Sequence, residues 1–481
     1  MDSIWTKTFT NRKRVSLKGD IRADVAVIGG GMTGILTAWQ LKQAGVRAVV
    51  LEADRIGGGQ TGNTTAKVTS QHGMFCHTFI GNKGEEIARK YVQANQAAVE
   101  EYKRIIRERG ISCNLRECDS YVYSADGDTL AKEVESAKKL GVDAVLEKQI
   151  SLPVACAGAV CFHGQAEFHP LKFIGALAEE LEIYENTPVK EVEEHLVKTP
   201  GGSVRADKIV FAVHFPFVNF PGMYFARMHQ ERSYVLALEN AGTINGLYIG
   251  EGEDVLSFRQ YKQYLLLGGQ AHRTGENREG GRYEKLKEAA GKMYPQSRIA
   301  ACWSAQDCMT TDRVPFIGSY AADRPDWYVA TGFCKWGMSS AMVSAMMLKD
   351  MICGINNPYT EVFAPSRFSS EEIPQLLEDT GKSVKGLTKR FFHMPQETVD
   401  ELPWGHGGVI DTPQGKTGVY KTEDGQLFQV DIVCPHMGCE LTWNPDERSW
   451  DCPCHGSRFD YKGNRIDGPA EEGIALESSF E

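Results

Sequence analysis

Near the end of the chain two short stretches concentrate residues that bind metal. "CPHMGC" sets Cys434 and His436 in a C-x-H pair and "CPCHGS" sets Cys452 and His455 in C-x-x-H, with fifteen residues between His436 and Cys452. Two thiolates and two imidazoles brought together by two loops can hold a tetrahedral zinc ion. They can equally hold a binuclear iron–sulfur centre, with the thiolates on one iron and the imidazoles on the other. At the opposite end, "VAVIGGGMTGILTAW" spaces Gly29, Gly31 and Gly34 as G-x-G-x-x-G. Glycines so placed allow a tight turn, close approach of backbone to a pyrophosphate, and close packing of a helix on a strand. A helix opening there, at Met32 and Thr33, would offer unpaired N–H groups and partial positive charge to phosphate. One polypeptide therefore carries a candidate dinucleotide site and a candidate metal centre.

Both need elements to position them. The apolar run Val25–Ile28 reads as a strand, and Ile35, Leu36, Trp39 and Leu41 recur at helical spacing. "RAVVLE" then reads as a second strand ending in Glu52, the acid expected about 20 residues on to accept ribose hydroxyls. Towards the C-terminus a charged helical stretch, "SSEEIPQLLEDTGKSVKGLTKRFF", gives way near residues 385–395 to a region rich in Gly, Pro and Asp. There "TGVYKTEDGQLFQVDIVC" reads as short strands around a hairpin turn, "EDGQ".

With 481 residues, 42% apolar and 24% charged, the chain is long enough for two or three globular domains. A net charge of −10 argues against general nucleic-acid binding, and the basic cluster Asn11–Lys18 reads as a solvated arm. No run of 18 apolar residues occurs, so no membrane span is expected, and the first residues lack a secretory h-region. Of thirteen cysteines, nine are scattered up to Cys353 without paired spacing. That pattern suits free thiols in a reducing compartment, and a cytoplasmic location is expected.

The segment after Glu52, "DRIGGGQTGNTTAKVTSQHG", resembles its counterpart in the D-amino-acid oxidase, glycine oxidase and sarcosine oxidase superfamily. Further likenesses follow in family order: "GQAEFHPLKFIGALA", "RADKIVFAVHF", "LLLGGQAHRTGE", "TTDRVPFIG" and "TGFCKWGMSSAMVSAMM". The resemblance spans roughly residues 20 to 355. It implies FAD as cofactor and an α/β, Rossmann-like, glutathione-reductase-type FAD-binding domain interleaved with an α+β substrate domain over 20–365, in discontinuous subdomains. Along the cofactor it implies Ala53, Gly59, Thr61, Thr64, Thr65, Ala66, Val189, Gly332, Lys335, Gly337 and Met338, besides the glycines and Glu52. No second G-x-G-x-x-G opens a later helix, so the reducing equivalents are expected from a small substrate and not from a pyridine nucleotide. The family's usual chemistry is oxidation of an amine or amino acid, by hydride transfer from the carbon beside nitrogen to the flavin.

The chain departs from these relatives at the position aligned with an Arg that grips a substrate carboxylate, which is Asp307 here. An acid there favours a cationic group over a carboxylate, unless Asp307 only caps a turn or pairs with Arg313. Lys335 falls where relatives place a flavin- or substrate-facing polar residue, and as a cation it could stabilise a reduced flavin; an exposed surface lysine is the plainer reading. Cys308 resembles the cysteine to which sarcosine oxidase attaches flavin, but the shorter spacing to the next Asp favours an unreactive buried thiol. His72 could reach the flavin face or be a satisfied structural histidine.

"CPHMGC" and "CPCHGSRFD", with Gly468 to Ala470 as "GPA", resemble the loops of Rieske [2Fe–2S] proteins over roughly residues 395–481. The resemblance implies a small all-β domain, preceded by a helical linker at 366–394, and assigns Cys434, His436, Cys452 and His455 as cluster ligands. It also implies a disulfide between Cys439 and Cys454, and a hydroxyl from Ser457 to a bridging sulfide. Where high-potential Rieske proteins carry a tyrosine that donates to a ligand sulfur, this chain has Phe459.

A reduced flavin holds two electrons, whereas a [2Fe–2S] cluster passes one at a time. The combination reads as an FAD-dependent dehydrogenase. It would oxidise a small amine or N-substituted amino acid and pass electrons singly through its own cluster to a one-electron acceptor protein or quinone. Reverse flow, from an external donor through the cluster to the flavin, and a redox sensor without steady turnover are the alternatives.

Overall fold

Alternating apolar runs and helical repeats in the first part of the chain build two interleaved sheets. In the computed structural model, which describes residues 2–252, 255–367, 399, 401–412 and 415–476, strand β1 (Ile21–Ile28) lies at the centre of the first sheet. It pairs in parallel with β2 (Ala48–Leu51) on one side and with Gly202–Phe211 on the other. The path runs Phe316–Ala321, Arg324–Thr331, Gly202–Phe211, β1, β2, Glu182–Tyr184. The inner halves of β1 and β2 are buried, as a parallel strand covered on both faces requires. Helix α1 (Met32–Gln43) follows β1 directly and packs against helix α2 (Gly337–Ile352) on one face of this sheet.

The second sheet takes its strands from the sequence between those of the first. Its long members are β3 (Met228–Glu239) and β4 (Arg298–Thr310), antiparallel with Glu231 opposite Asp307 and Arg232 opposite Gln306. β3 continues through Tyr264–Arg273 and four further strands to Lys67–Val68. The architecture is thus an α/β nucleotide-binding layer interleaved with an antiparallel substrate layer, as the sequence implies.

The C-terminal part is all-β. A three-stranded antiparallel sheet (His406–Thr412, Gly415–Lys421, Leu427–Val430) turns at the expected hairpin, where Thr422 N–H donates to the Gln426 carbonyl. A four-stranded sheet (Thr442–Asn444, Ser449–Asp451, Arg458–Asp460, Arg465–Asp467) carries the loop with Cys452 and His455. The helical linker expected at 366–394 lies outside the described residues, save for 366 and 367. Among the described residues no helix is long and apolar enough to cross a membrane.

Candidate functional site

The glycine turn after β1 is shaped by contacts that tolerate no side chain. Gly29 sits at φ +107°, and a Cβ on it would lie 2.4 Å from the Ala212 carbonyl oxygen; one on Gly34 would lie 1.9 Å from the Gly29 oxygen. The first glycine therefore makes the turn and the third lets α1 rest on it. Glu52 directly follows β2 and accepts N–H bonds from Gly30 (2.6 Å) and Asp54 (2.9 Å). Burial raises its pKa, and those two N–H groups oppose the rise. Thr61 accepts the Met32 N–H at 2.9 Å, at the mouth of α1.

These groups open onto one cavity of about 1120 Å³, at or beyond the upper end of the roughly 300–1,000 Å³ usual for small-molecule sites. Gly29, Gly31, Met32, Thr33, Glu52, Ala53, Gly59, Thr61, Thr64, Thr65 and Val189 line it, as do His72, Asp307, Lys335, Gly337 and Met338. A turn shaped for backbone approach, a helix N-terminus and an acid at the strand end together fit a dinucleotide. Three expected cofactor residues stand behind the lining instead. Gly34 is consumed by the packing just described. Ala66 is fully buried, with its carbonyl bonded to Arg259 at 2.8 Å. Gly332 faces Thr310, whose Cγ2 a Cβ would meet at 2.3 Å.

Opposite the glycine turn, the wall of the cavity is β3 and β4. Asp307 neighbours Glu231 across the strands, and Lys335 Nζ makes a 2.6 Å ion pair with Glu231. Burial pushes Asp307 up to about 6, opposed by Lys335, and Glu231 adds to the rise. For Glu231 itself burial is outweighed by His229 and Lys335, which leave it at about 2. Cys334 and Lys335 both stand in the left-handed region (φ +50° and +73°), so the chain enters α2 through a strained bend that turns Lys335 to the cavity. Among the described residues the electrostatic neighbours of Asp307 are Lys335, Glu231 and Arg232, and not Arg313.

His72 lines the cavity, but its ring is already committed. Nδ1 bonds Tyr91 Oη at 2.7 Å, Nε2 lies 2.9 Å from Ser339 Oγ, and the ring stacks on Trp336 at 4.6 Å. Burial lowers it to about 3, so it stays neutral. These contacts favour the structural reading of His72, as a support for the bend before α2. The Cys308 thiol donates to the His214 carbonyl at 3.3 Å, and burial raises its pKa well above the usual range. A protonated thiol is a poor nucleophile, which matches the expectation of an unreactive cysteine.

In the C-terminal part the Cys434 and Cys452 thiols lie within hydrogen-bond reach of each other, with the Ser457 hydroxyl beside Cys434. His436 and His455 come together with ring centroids 4.9 Å apart. The Nδ1 atoms of both rings are buried and have no protein partner, while His436 Nε2–H donates to Asn219 Oδ1 at 2.9 Å. Burial keeps both rings neutral, near 4 and near 3. Two adjacent thiols and two adjacent imidazoles with unpartnered Nδ1 atoms, carried on the same two loops, fit a binuclear cluster. Cys439 and Cys454 form the expected disulfide between the two loops. Ser457 Oγ also accepts the Ala470 N–H at 2.9 Å, and Phe459 is fully buried in the domain core.

The two sites share a wall. Gln230, next to cavity-lining Glu231, donates to the carbonyls of His455 (2.6 Å) and Gly468 (3.1 Å). Gln306, next to Asp307, donates to the Gly456 carbonyl (2.8 Å) and to Gln230 Oε1 (2.5 Å). Gly456 stands at φ +80°, and a Cβ there would fall 2.7 Å from the Gln230 side chain. Only glycine lets the cluster loop come this near. Phe225 meets both cluster histidines edge-on, at 6.4 and 5.8 Å. Around this seam buried charges are paired, Arg232 with Glu447 (2.8 Å), and Arg458 with Glu447, Asp451 and Asp467 (3.0–3.1 Å).

Sequence reasoning missed Glu231, Lys67 and the seam residues Asn219, Phe225, Gln230 and Gln306. Lys67 lines the cavity, and burial, then Arg259, lowers its pKa to about 7. The polar run "HQER" at the start of an otherwise apolar strand was the available signal for the seam.

Comparison with known proteins agrees with this geometry. Residues 24–351 match the family model of FAD dependent oxidoreductases, and residues 394–477 match that of the Rieske [2Fe-2S] domain. YhfW of Bacillus subtilis (strain 168), which bears the name of a Rieske 2Fe-2S iron-sulfur protein, is 36% identical over 95% of this chain and 93% of its own length. Among solved structures, glycine oxidase from Geobacillus kaustophilus superposes with a TM-score of 0.62 at 17% identity, over 73% of this chain and 100% of its own. L-proline dehydrogenase from P. horikoshii gives 0.62 at 20% identity, over 73% and 98%.

Proposed function

Because this chain belongs to the FAD dependent oxidoreductase family and ends in a Rieske [2Fe-2S] domain, we propose that it is a dehydrogenase of a small amine or N-substituted amino acid whose electrons leave singly through its own cluster. The observation that carries this is the shared wall: β3 and β4 bear Glu231 and Asp307 towards the cavity, while their chain neighbours Gln230 and Gln306 hold the cluster loop. A cluster loop held by the same two strands that line the cavity supports reading the cluster as its electron outlet. When bound, FAD supplies a two-electron acceptor for C–N oxidation, and the [2Fe–2S] cluster supplies a one-electron carrier.

The protein's own groups select and orient the substrate. Two carboxylates, Asp307 and Glu231, face one ammonium, Lys335, so the wall favours a cationic group. Lys67, with its amine held near neutrality, can take a proton from a substrate ammonium. The named substrates of the structural neighbours, glycine and proline, suggest an amino acid or a related amine. We place the protein in the cytoplasm, with an electron-carrier protein or quinone as acceptor.

The test is anaerobic rapid mixing with a panel of amines and N-methyl amino acids. The flavin should bleach first and the cluster reduce after it. With Cys452→Ser and His455→Ala together, bleaching should persist while turnover with a one-electron acceptor collapses. A cluster that stays oxidised beside fully reduced flavin would refute the outlet.

A further inference from the structure

The cavity that fits FAD is not built by the FAD-family segment alone. Six of its lining residues, Arg465, Ile466, Asp467, Gly468, Pro469 and Glu471, belong to the Rieske domain. They form the last strand of its four-stranded sheet and the turn that follows.

The inner end of this turn is anchored. Asp467 Oδ1 accepts from Gln60 Nε2 at 3.1 Å, in the glycine-rich segment after Glu52, and its other oxygen accepts from Arg458 at 3.1 Å. The Gly468 carbonyl is held by Gln230 at 3.1 Å, and Pro469 is buried. At the outer end Glu471, exposed yet lining the cavity, is within electrostatic reach of Lys190, which follows Val189 on the cavity wall. The turn therefore lines the cavity from Gln60, in the segment after Glu52, to Lys190.

Just before the anchored Asp467, in the last strand, Ile466 exposes 47% of its surface although it lines the cavity. Ile466 offers the cavity an apolar side chain, and beside it Arg465, which donates to the Ala470 carbonyl at 3.4 Å and acts on Glu471, offers a cationic one. The occupant that fits is one with a flat apolar part and an anionic part, which describes the adenosine diphosphate half of a dinucleotide.

We propose that the Rieske turn 465–471 is part of the FAD-binding site: it closes over the adenosine half of the dinucleotide, with Ile466 as apolar cover and Arg465 as charge complement to the phosphates. Retention of FAD then depends on the docked Rieske domain, and cofactor binding in turn holds the cluster loop on β3 and β4. This dependence is separate from substrate and electron flow, because it concerns binding alone.

The experiment uses the full chain with its cluster assembled. FAD is removed, and its rebinding is titrated by the change in flavin fluorescence, for wild type, Ile466→Asp and Arg465→Glu. Each variant should bind FAD about 10-fold or more weakly, with cluster content and its EPR signal unchanged. In a second measurement, Ile466→Cys is alkylated with a maleimide with and without FAD, and bound FAD should slow the labelling about 10-fold. Unchanged FAD affinity in both variants overturns the proposal. So does labelling that is equally fast with and without FAD. Neither readout uses an amine or an electron acceptor, so a wrong substrate assignment leaves this result standing.

Discussion

Asp307→Asn separates what the cavity gains in chemistry from what it costs in stability. Burial raises the Asp307 carboxyl to about 6, from 3.8 in the absence of these surroundings, with Lys335 pulling it down and Glu231 pushing it up. Because the folded value exceeds the unfolded one, the folded protein binds the extra proton between pH 3.8 and about 6, and stability falls as pH rises through that window. Above about pH 6 the penalty is complete. A shift of about 2 units at about 1.4 kcal/mol each sets it at up to about 3 kcal/mol. Asparagine keeps the shape and cannot ionise. The apoprotein of Asp307→Asn should therefore unfold at a higher temperature than wild type at pH 8, and the gain should shrink towards zero near pH 4. Thermal midpoints followed by far-UV circular dichroism, at matched cluster content, measure this. The same substitution removes a charged partner worth roughly 1.5–3 kcal/mol to a cationic substrate, so kcat/KM should fall about 10-fold or more. A variant no more stable at pH 8 than wild type, with kcat/KM unchanged, would refute both the strained carboxylate and its contact with substrate.

Two further outcomes follow from the seam and the cluster. Gln230→Leu deletes the bonds to His455 and Gly468 and leaves buried carbonyls unpaired, at about 1–3 kcal/mol each; cluster reduction after substrate mixing should slow while flavin bleaching keeps its rate, and equal slowing of both would count against the seam as the outlet. Phe459→Tyr adds a hydroxyl in the cluster domain's core, where Rieske potentials span about −150 to +300 mV with hydrogen bonds to sulfur among their determinants; protein-film voltammetry should show a raised potential, and an unchanged one would mean that the hydroxyl does not reach a ligand sulfur.

The anchoring of the Rieske turn in the cavity also changes how the two half-reactions can be separated. Removing the C-terminal domain by truncation near residue 390 would take away Arg465 to Glu471 and open the FAD cavity. Under the proposal above, flavin loading needs both domains, and point substitutions at the cluster ligands separate the half-reactions more cleanly.

Local chemistry made much of this protein readable from its residues. A G-x-G-x-x-G turn between a strand and a helix, an acid at the next strand end, and paired C-x-H and C-x-x-H loops each need only a few neighbouring residues to define their geometry. The dinucleotide turn and the pair of metal-binding loops were therefore legible from the residues, while FAD, the Rieske cluster and the Cys439–Cys454 pairing came with the resemblance to known families. What the sequence could not disclose depends on residues far apart in the chain. Glu231 comes next to Asp307 only through the register of β3 on β4, and burial, acting with that pairing and Lys335, makes Asp307 the acid that titrates higher, at about 6. Gln230 and Gln306 look like ordinary strand positions until the cluster loop is laid against them. His72 is equally plausible as acid, base or strut in the sequence, and only its contacts with Tyr91, Ser339 and Trp336 make it a strut. Nothing in "NRIDGPAEEG" marks it as cavity wall. Short-range motifs are written in consecutive residues because the backbone itself builds them, whereas the seam between the two redox sites exists only after sheets from distant segments have packed, and only tertiary structure could place it.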